Sequence, residues 1–205
     1  MQEAYIVAGL RTAVTKAKKG GFRFTRPDDL AIDLIQQLMA SIPALEKTQV
    51  DDVMVGNAVP EAEQGLQVGR IIAARALGHQ APGITVNRYC ASGLETIALA
   101  TAKIRAGMAE CIIAGGVESM SRAPYIMPAA RWGQKMGDVA AMDMLLGTLN
   151  CPFGTGHMGI TAENVAGEHE VTRAQQDAFA VLSQERAAAA IAAGHFAEQI
   201  VPVEV

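Results

Sequence analysis

The segment that indicates the fold most clearly is residues 83–107, GITVNRYCASGLETIALATAKIRAG. Residues 83–89 are typical of a strand, and they lead through residues 90–93 into a helix. Gly107 closes that helix, because glycine readily adopts the backbone conformation that follows a helix C-terminus. The helix is apolar nearly all round, which predicts a buried position. Its only charged residues are Glu95, Lys103 and Arg105.

On both sides of this segment, predicted strands and helices alternate. Short apolar runs at residues 4–8, 53–55 and 111–114 predict further strands. Apolar residues at helical spacing predict helices over 27–39 and 66–77. The resulting order is β-α-β-α-β-α-β, an α/β pattern with mostly parallel strands. A helix buried at the centre of such a fold needs layers on both of its sides, which is more than this chain supplies.

The chain is predicted to divide into two parts. Residues 1–118 form the α/β part, and residues 119–205 form a loop domain that is incomplete at its C-terminal end. The second part begins with a stretch rich in Met, Pro and Gly that lacks periodicity. Thr172 and Gln175 then form a capping box that opens a long helix. A last strand is predicted over residues 199–205.

The composition excludes several classes of protein. The 205 residues carry a net charge of −4, which provides no basic face for nucleic acid. Half of the residues are hydrophobic and 19% are charged, so the chain is expected to fold. No apolar run approaches the roughly 20 residues of a membrane span, and the N-terminus lacks a signal-peptide pattern. We therefore expect a soluble, cytoplasmic protein without membrane partners.

Cys90 is the strongest candidate for a catalytic residue. It lies where a strand turns into a helix, and the unpaired N–H groups of a helix N-terminus favour a thiolate and can hold an oxyanion. Spacing alone leaves open that Cys90 is only a small buried hydrophobic residue. With Cys111 and Cys151 it makes three irregularly spaced cysteines, which fits neither a disulfide framework nor a zinc site. No metal is therefore expected.

Four segments of the chain resemble segments of the thiolases. VNRYCASGL at residues 86–94 resembles the stretch around the nucleophilic cysteine of that family. GGVESMS at 115–121 and GHMGITAEN at 156–164 resemble two further thiolase motifs, and IVAGLRTA at 6–13 is similar to the family's beginning. The motifs occur in the family's order and the similarity runs along the whole chain. The sequence is therefore identified as a member of the thiolase family, matching its N-terminal half.

The resemblance implies a fold and a reaction. The expected fold class is α/β and thiolase-like, a mostly parallel sheet with a buried central helix that carries the nucleophile at its N-terminus, and with the C-terminal half absent. The implied reaction is thiolytic cleavage of 3-ketoacyl-CoA to acetyl-CoA and a shortened acyl-CoA, or the reverse condensation, through an acyl-cysteine at Cys90. Coenzyme A thioesters are then substrates, and no bound cofactor is expected.

The resemblance also assigns substrate-binding residues. His157 and Met158 match a pair that lines the acyl pocket in the family, and without that motif we would interpret His157 as an ordinary loop histidine. Ser92 and Gly93 are small and let a substrate approach Cys90.

The family's base histidine, its second cysteine and an oxyanion-hole asparagine belong to the C-terminal half, and this sequence lacks those segments. The chain alone is therefore expected to be inactive. It could be a fragment, a shortened gene product or one half of a split enzyme. Its expected partners are acyl-CoA, a second copy in a homodimer or homotetramer, and a separate C-terminal half.

Three other interpretations of the sequence stay open. An acetyl-CoA acetyltransferase that forms acetoacetyl-CoA would use the same nucleophile. A ketoacyl-synthase relative would share the fold, although the motifs at 115–121 and 156–164 disfavour it. A non-catalytic module for assembly or acyl-CoA binding is the alternative from another class. Glu118 is interpreted as a structural carboxylate, and Arg88 is expected to pair with a buried acid or with a partner subunit.

Overall fold

A computed structural model describes residues 2–205 of the chain. The helices and strands of the first part alternate. They are α1 (Pro27–Ala40), β1 (Asp52–Gly56), α2 (Val68–Leu77), β2 (Gly83–Val86), α3 (Ser92–Arg105) and β3 (Ile112–Gly116). The elements after β3 are shorter, apart from the last two helices. They are β4 (Tyr125–Ile126), β5 (Met142–Asp143), α4 (Met144–Leu149), β6 (Asn150–Cys151), β7 (Gly156–His157), α5 (Met158–Glu168) and α6 (Arg173–Ala192).

The main sheet is parallel and has the strand order β2-β1-β3. Val53 of the central strand lies opposite Gly83 of β2 and opposite Ile113 of β3. Every residue of β1 is buried, as expected for a strand covered on both faces. Since β2 and β3 lie on opposite sides of β1, right-handed crossovers place α2 and α3 on opposite faces of the sheet.

The hydrophobic core lies between β1 and the pair α1 and α2. It includes Val53 and Ile72, both fully buried, and Ile35 of α1. Gly69 of α2 lies so close to β2 that a Cβ there would overlap the carbonyl oxygen of Ile84. The glycine therefore allows α2 to pack closely against β2. Truncation of a core residue such as Ile72 to alanine costs about 2–5 kcal/mol in proteins generally.

The structure corrects the prediction of a strand at residues 4–8. This segment has no strand pairing among the described residues, and Ile6 and Val7 are more than four-fifths exposed. The predicted strand at 199–205 is likewise reduced to a single bridge, in which Arg11 pairs with Ile200. An apolar run becomes a buried strand only when a neighbouring strand and a covering layer are present, and neither reaches residues 4–8.

Helix α3 is covered by the sheet on one side only. Thr96 is fully buried, and its hydroxyl donates to the Gly115 carbonyl in β3 at 3.1 Å. On the other side, Leu94 is 71% exposed and Ile97 is 42% exposed. The sequence predicted an apolar helix that needs two covering layers, and the described residues supply one of them.

The part of the chain after β3 contains two small antiparallel ribbons, β4-β5 and β6-β7, followed by α5 and α6. The capping box of Thr172 and Gln175 at the start of α6 is confirmed. Neither α5 nor α6 has a buried residue. The division of the chain into an α/β part and a loop domain at residue 118 stays a prediction.

Candidate active site

Hydrogen bonds within the turn between β2 and α3 hold Cys90 at the surface. Tyr89, directly before it, has a φ of 47°, a left-handed conformation that is costly for any residue with a side chain. The Tyr89 N–H donates to Asn87 Oδ1 at 2.8 Å, and the Tyr89 carbonyl accepts from Ser92 Oγ at 2.5 Å. These bonds stabilise the strained backbone, and the side chain of Cys90 is exposed. Strained residues of this kind occur often at active sites.

Ser92 and Arg88 complete this turn. Ser92 Oγ accepts a hydrogen bond from the Arg88 N–H at 2.9 Å, and Ser92 is buried. The Arg88 guanidinium pairs with Glu95 in the first turn of α3, with Nε 2.9 Å from Oε2. Arg88 thus pairs with an acid, although Glu95 is only partly buried, and pairing with a partner subunit stays a prediction. Ser92 therefore stabilises the turn directly, apart from any contact with substrate.

A cavity of about 360 Å³ opens beside Cys90. The ends of β1 and β3, the start of α3 and the short helix α4 form its wall. Ligands of parallel α/β sheets commonly bind at this carboxyl edge of the strands. The wall is largely apolar, with side chains that include Val59, Met120, Leu145 and Leu149. The arrangement places an exposed thiol next to a space that suits an apolar group.

The carboxylate of Glu118 lies in this wall and accepts hydrogen bonds at both oxygens. Ala58 N–H donates to Oε2 at 2.6 Å, while Gln64 Nε2 and Asn57 Nδ2 donate to Oε1 at 2.8 and 3.2 Å. Gln64 also accepts from the Ser119 N–H at 2.6 Å. Glu118 thus links the loops that follow β1 and β3, which supports its interpretation as a structural carboxylate.

Asn57 is the residue after β1, and it is 1% exposed. Its N–H donates to the Val86 carbonyl at 3.0 Å, and its Nδ2 donates to the Val117 carbonyl at 2.8 Å. Asn57 Oδ1 is buried and has no partner among the described residues. Both neighbours of Nδ2 are acceptors, so the amide cannot be turned over without losing these bonds. Asn57 therefore joins the ends of β2 and β3, and its side-chain oxygen stays buried and unpaired.

An ion-pair chain anchors the loop that bears Met120 to the first helix. Arg122 donates to both carboxylate oxygens of Glu63, and these hydrogen bonds lower the pKa of Glu63. Glu63 also lies 3.2 Å from Arg26, which pairs with the buried Asp28 at 3.0 Å. The position of one side of the cavity thus depends on charged groups outside it.

Three of the predicted site residues come together at the cavity. Cys90, Ser92 and Gly93 all line it. His157 and Met158 are not among its lining residues. His157 instead caps α5, where its Nδ1 accepts the Gly159 N–H at 3.0 Å. The substrate-binding role assigned to His157 and Met158 stays a prediction.

Sequence reasoning missed the residues of α4 and Asn57. Helix α4 has six residues, too few to show a helical period, and only the cap at Asp143 could have indicated it. Asn57 could have been suspected because it directly follows a buried strand. Nothing local indicated that its amide oxygen would be left without a partner.

The two other cysteines differ in their surroundings. The side-chain hydroxyl of Thr155 and the nearby backbone N–H groups lower the pKa of Cys151. Burial, with a smaller effect from Asp51, raises the pKa of Cys111. Neither of them lines the cavity beside Cys90.

Comparison with known proteins identifies the class to which this fold and site belong. The family model described as the N-terminal domain of thiolase matches residues 4–205. The chain belongs to the thiolase family, and the thiolase-like α/β fold class predicted for it is confirmed. Within residues 2–205, no helix combines the length and apolar character needed to cross a membrane.

Several relatives cover the whole chain. The 3-ketoacyl-CoA thiolase of Bacillus subtilis is 46% identical over 100% of this chain and 50% of its own length. The β-ketoadipyl-CoA thiolase of Acinetobacter baylyi is 43% identical over 100% of this chain and 52% of its own length. The crystal structure of the Bacillus anthracis acetyl-CoA acetyltransferase matches with a TM-score of 0.93 and 32% identity, over 100% of this chain and 52% of that one. The chain thus spans about half the length of the relatives it matches.

Proposed function

We propose that Cys90 is the acyl-accepting nucleophile of a thiolase-type acyltransferase, and that this chain is the nucleophile-bearing half of that enzyme. The observation that carries the proposal is the exposed thiol of Cys90 on a strained turn, at the N-terminus of α3 and at the mouth of a largely apolar cavity. Membership of the thiolase family gives this geometry its chemical interpretation.

The proposed reaction has two steps. The Cys90 thiolate attacks the keto carbon of a 3-ketoacyl-CoA, the bond to the neighbouring carbon breaks, and that carbon takes up a proton as acetyl-CoA leaves. The acyl group remains on the Cys90 sulfur. The thiol of a second coenzyme A then attacks the acyl carbonyl and forms a shortened acyl-CoA. The bond from the acyl carbon to the Cys90 sulfur breaks, and the proton of the coenzyme A thiol goes to the cysteine. Covalent catalysis of this kind replaces one difficult displacement by two easier ones.

The start of α3 suits both steps. The N–H groups in the first turn of a helix have no partner inside the helix, and they stabilise negative charge close to them. Glu95, in that turn, is paired with Arg88, so its charge is balanced by a neighbour. These features favour a developing oxyanion near Cys90 without requiring a metal.

We expect the 205-residue chain to acquire an acyl group at Cys90 without sustained turnover. Both steps move a proton, and no histidine lies among the described residues that line the cavity. A nucleophile separated from its base loses most of the rate of the coupled pair. The missing proton transfer, rather than a missing nucleophile, should therefore limit the reaction.

The test is incubation of the purified chain with an acyl-CoA, followed by intact-mass and peptide mass spectrometry. An acyl adduct is expected on Cys90, and it should be lost in Cys90→Ala but kept in Cys151→Ala, the matched control. A steady-state assay with 3-ketoacyl-CoA should show no continuous release of acetyl-CoA. An adduct on another cysteine, or none at all, would contradict the proposed nucleophile. Continuous Cys90-dependent turnover would show that this half assembles a complete site.

A second candidate is the non-catalytic assembly module, which the uncovered apolar side of α3 favours. Leu94 on that side is 71% exposed. We expect the chain to self-associate, and Leu94→Lys to weaken that association in sedimentation experiments. Leu66→Lys is the matched control, because Leu66 is 91% exposed outside α3. A monodisperse monomer that is unchanged by Leu94→Lys would remove this candidate.

The names of the relatives describe different acyl groups. A 3-ketoacyl-CoA thiolase, a β-ketoadipyl-CoA thiolase and an acetyl-CoA acetyltransferase all match the chain along its whole length. The forward cleavage and the condensation to acetoacetyl-CoA use the same nucleophile. The names of the relatives therefore do not identify one acyl group, and its chemical class has to be inferred from the residues that line the cavity.

A further inference from the structure

We propose that the cavity beside Cys90 is a subsite for an uncharged acyl group and that it disfavours acyl groups ending in a carboxylate. This rests on the proposed function, because it assigns a substrate class to the same nucleophile. The charges and hydrogen-bonding groups in the wall of the cavity support this assignment.

No lysine, arginine or histidine is found among the described residues that line this cavity. Among the described lining residues, the one charged side chain is the carboxylate of Glu118. Its neighbours are the amide groups of Ala58, Gln64 and Asn57, all of which donate to it. Within residues 2–205, no salt bridge to Glu118 balances this charge. A second carboxylate brought into the cavity would meet a like charge.

Among the described lining residues, the other polar side chains do not supply free donors. Asn57 presents no free donor, since its Nδ2 is held by two acceptors, and its unpaired Oδ1 is itself buried. The Ser92 hydroxyl donates to the Tyr89 carbonyl, and the Thr148 hydroxyl donates to the Met144 carbonyl at 2.9 Å. A carboxylate needs donors to replace its lost water. Apart from the backbone at the Cys90 turn, the described side chains of this wall are mainly apolar.

Two maleimides of equal chain length test this subsite without any acyl transfer. One is N-hexylmaleimide, and the other carries a carboxylate at the end of its chain. In both, the thiolate adds to the double bond, an S–C bond forms, and the thiol proton goes to the adjacent carbon. The rate at Cys90 is followed by peptide mass spectrometry. The ratio of the two rates is divided by the same ratio for the urea-unfolded chain, which removes the intrinsic reactivity of the probes.

We expect the carboxylated probe to react about tenfold more slowly at native Cys90, the factor that corresponds to about 1.4 kcal/mol. Raising the salt concentration should reduce the difference, since screening weakens repulsion between charges. Leu145→Lys places a cation in the wall and should return the ratio toward one. Leu146→Lys is the matched control on the same helix, because Leu146 is 51% exposed and lies outside the cavity lining.

If the two maleimides react with Cys90 of the native chain at equal normalised rates, the proposed subsite is wrong, whatever the variants show. A Leu146→Lys effect as large as that of Leu145→Lys would also overturn it, since the charge would then act from outside the cavity. Failure of the proposed subsite can be distinguished from failure of the proposed function. If acyl-CoA leaves no adduct while the maleimides still discriminate, the acyl-transfer proposal fails and the subsite stands.

Discussion

The end of β1 packs closely against the start of α3, and a substitution there tests whether this packing positions the Cys90 turn. A Cβ built on Gly56, the last residue of β1, would lie 2.6 Å from the Ser92 carbonyl carbon and 2.7 Å from Gly93 N. Ordinary contact begins at 3.4 Å, so in Gly56→Ala the start of α3 must move by about 0.8 Å. All of the nearby atoms are backbone atoms. The strain therefore cannot be relieved by rotating a side chain.

Gly56→Ala is expected to lower the free energy of unfolding by about 1–3 kcal/mol, the usual cost of overpacking. The matched control is Gly115→Ala in the neighbouring strand, where a Cβ would meet nothing within 4 Å. That variant should be neutral or slightly stabilising, since alanine reduces the freedom of the unfolded chain. Urea unfolding followed by far-ultraviolet circular dichroism measures both variants under identical conditions.

The same substitution should alter the chemistry of Cys90. A displacement approaching 1 Å can change a rate by about a hundredfold when geometry matters. The rate of Cys90 alkylation in Gly56→Ala should therefore differ from that in Gly115→Ala, while the rate at Cys151 should not. If the two alanine variants unfold at the same urea concentration and label Cys90 equally fast, the close packing of β1 on α3 is wrong.

Two further predictions concern charge. Hydrogen bonds from Arg122 hold the pKa of Glu63 below its ordinary 4.5, so its contribution to stability is present above that pH and is lost as the pH falls through the folded-state value. Glu63→Gln should therefore be less stable than the unmodified chain at neutral pH, and the gap between their urea midpoints should close in acid; a gap independent of pH would refute this. Because the Thr155 hydroxyl lowers the pKa of Cys151 while burial raises that of Cys111, iodoacetamide should label Cys151 at lower pH. Peptide mass spectrometry across a pH series checks the order, and earlier labelling of Cys111 would contradict it.

The turn at Cys90 was predictable because its signals are local. A strand pattern followed at once by small residues and an apolar helix specifies a tight strand-to-helix connection. The capping box at Thr172 was predictable for the same reason, since its hydrogen bonds join residues three apart. Features of this kind depend on neighbours along the chain, and sequence pattern records them well.

The segment at residues 4–8 shows the opposite case. Its apolar run predicts a strand buried on both faces, yet Val7 is 82% exposed. Burial of such a run depends on distant segments that pair with it and cover it. The sequence pattern records the tendency of the segment to be buried but not the presence of those partners.

The sequence by itself determined the family, the order of most strands and helices, and the position of Cys90 on a turn before an apolar helix. Only the tertiary structure decided what surrounds that thiol. Asn57, Glu118 and Leu145 meet at the cavity because the ends of parallel strands and a short helix converge there, although they are far apart in the chain. The unpaired oxygen of Asn57 is likewise a property of the assembled site, since whether a buried acceptor finds a donor depends on contacts between distant residues.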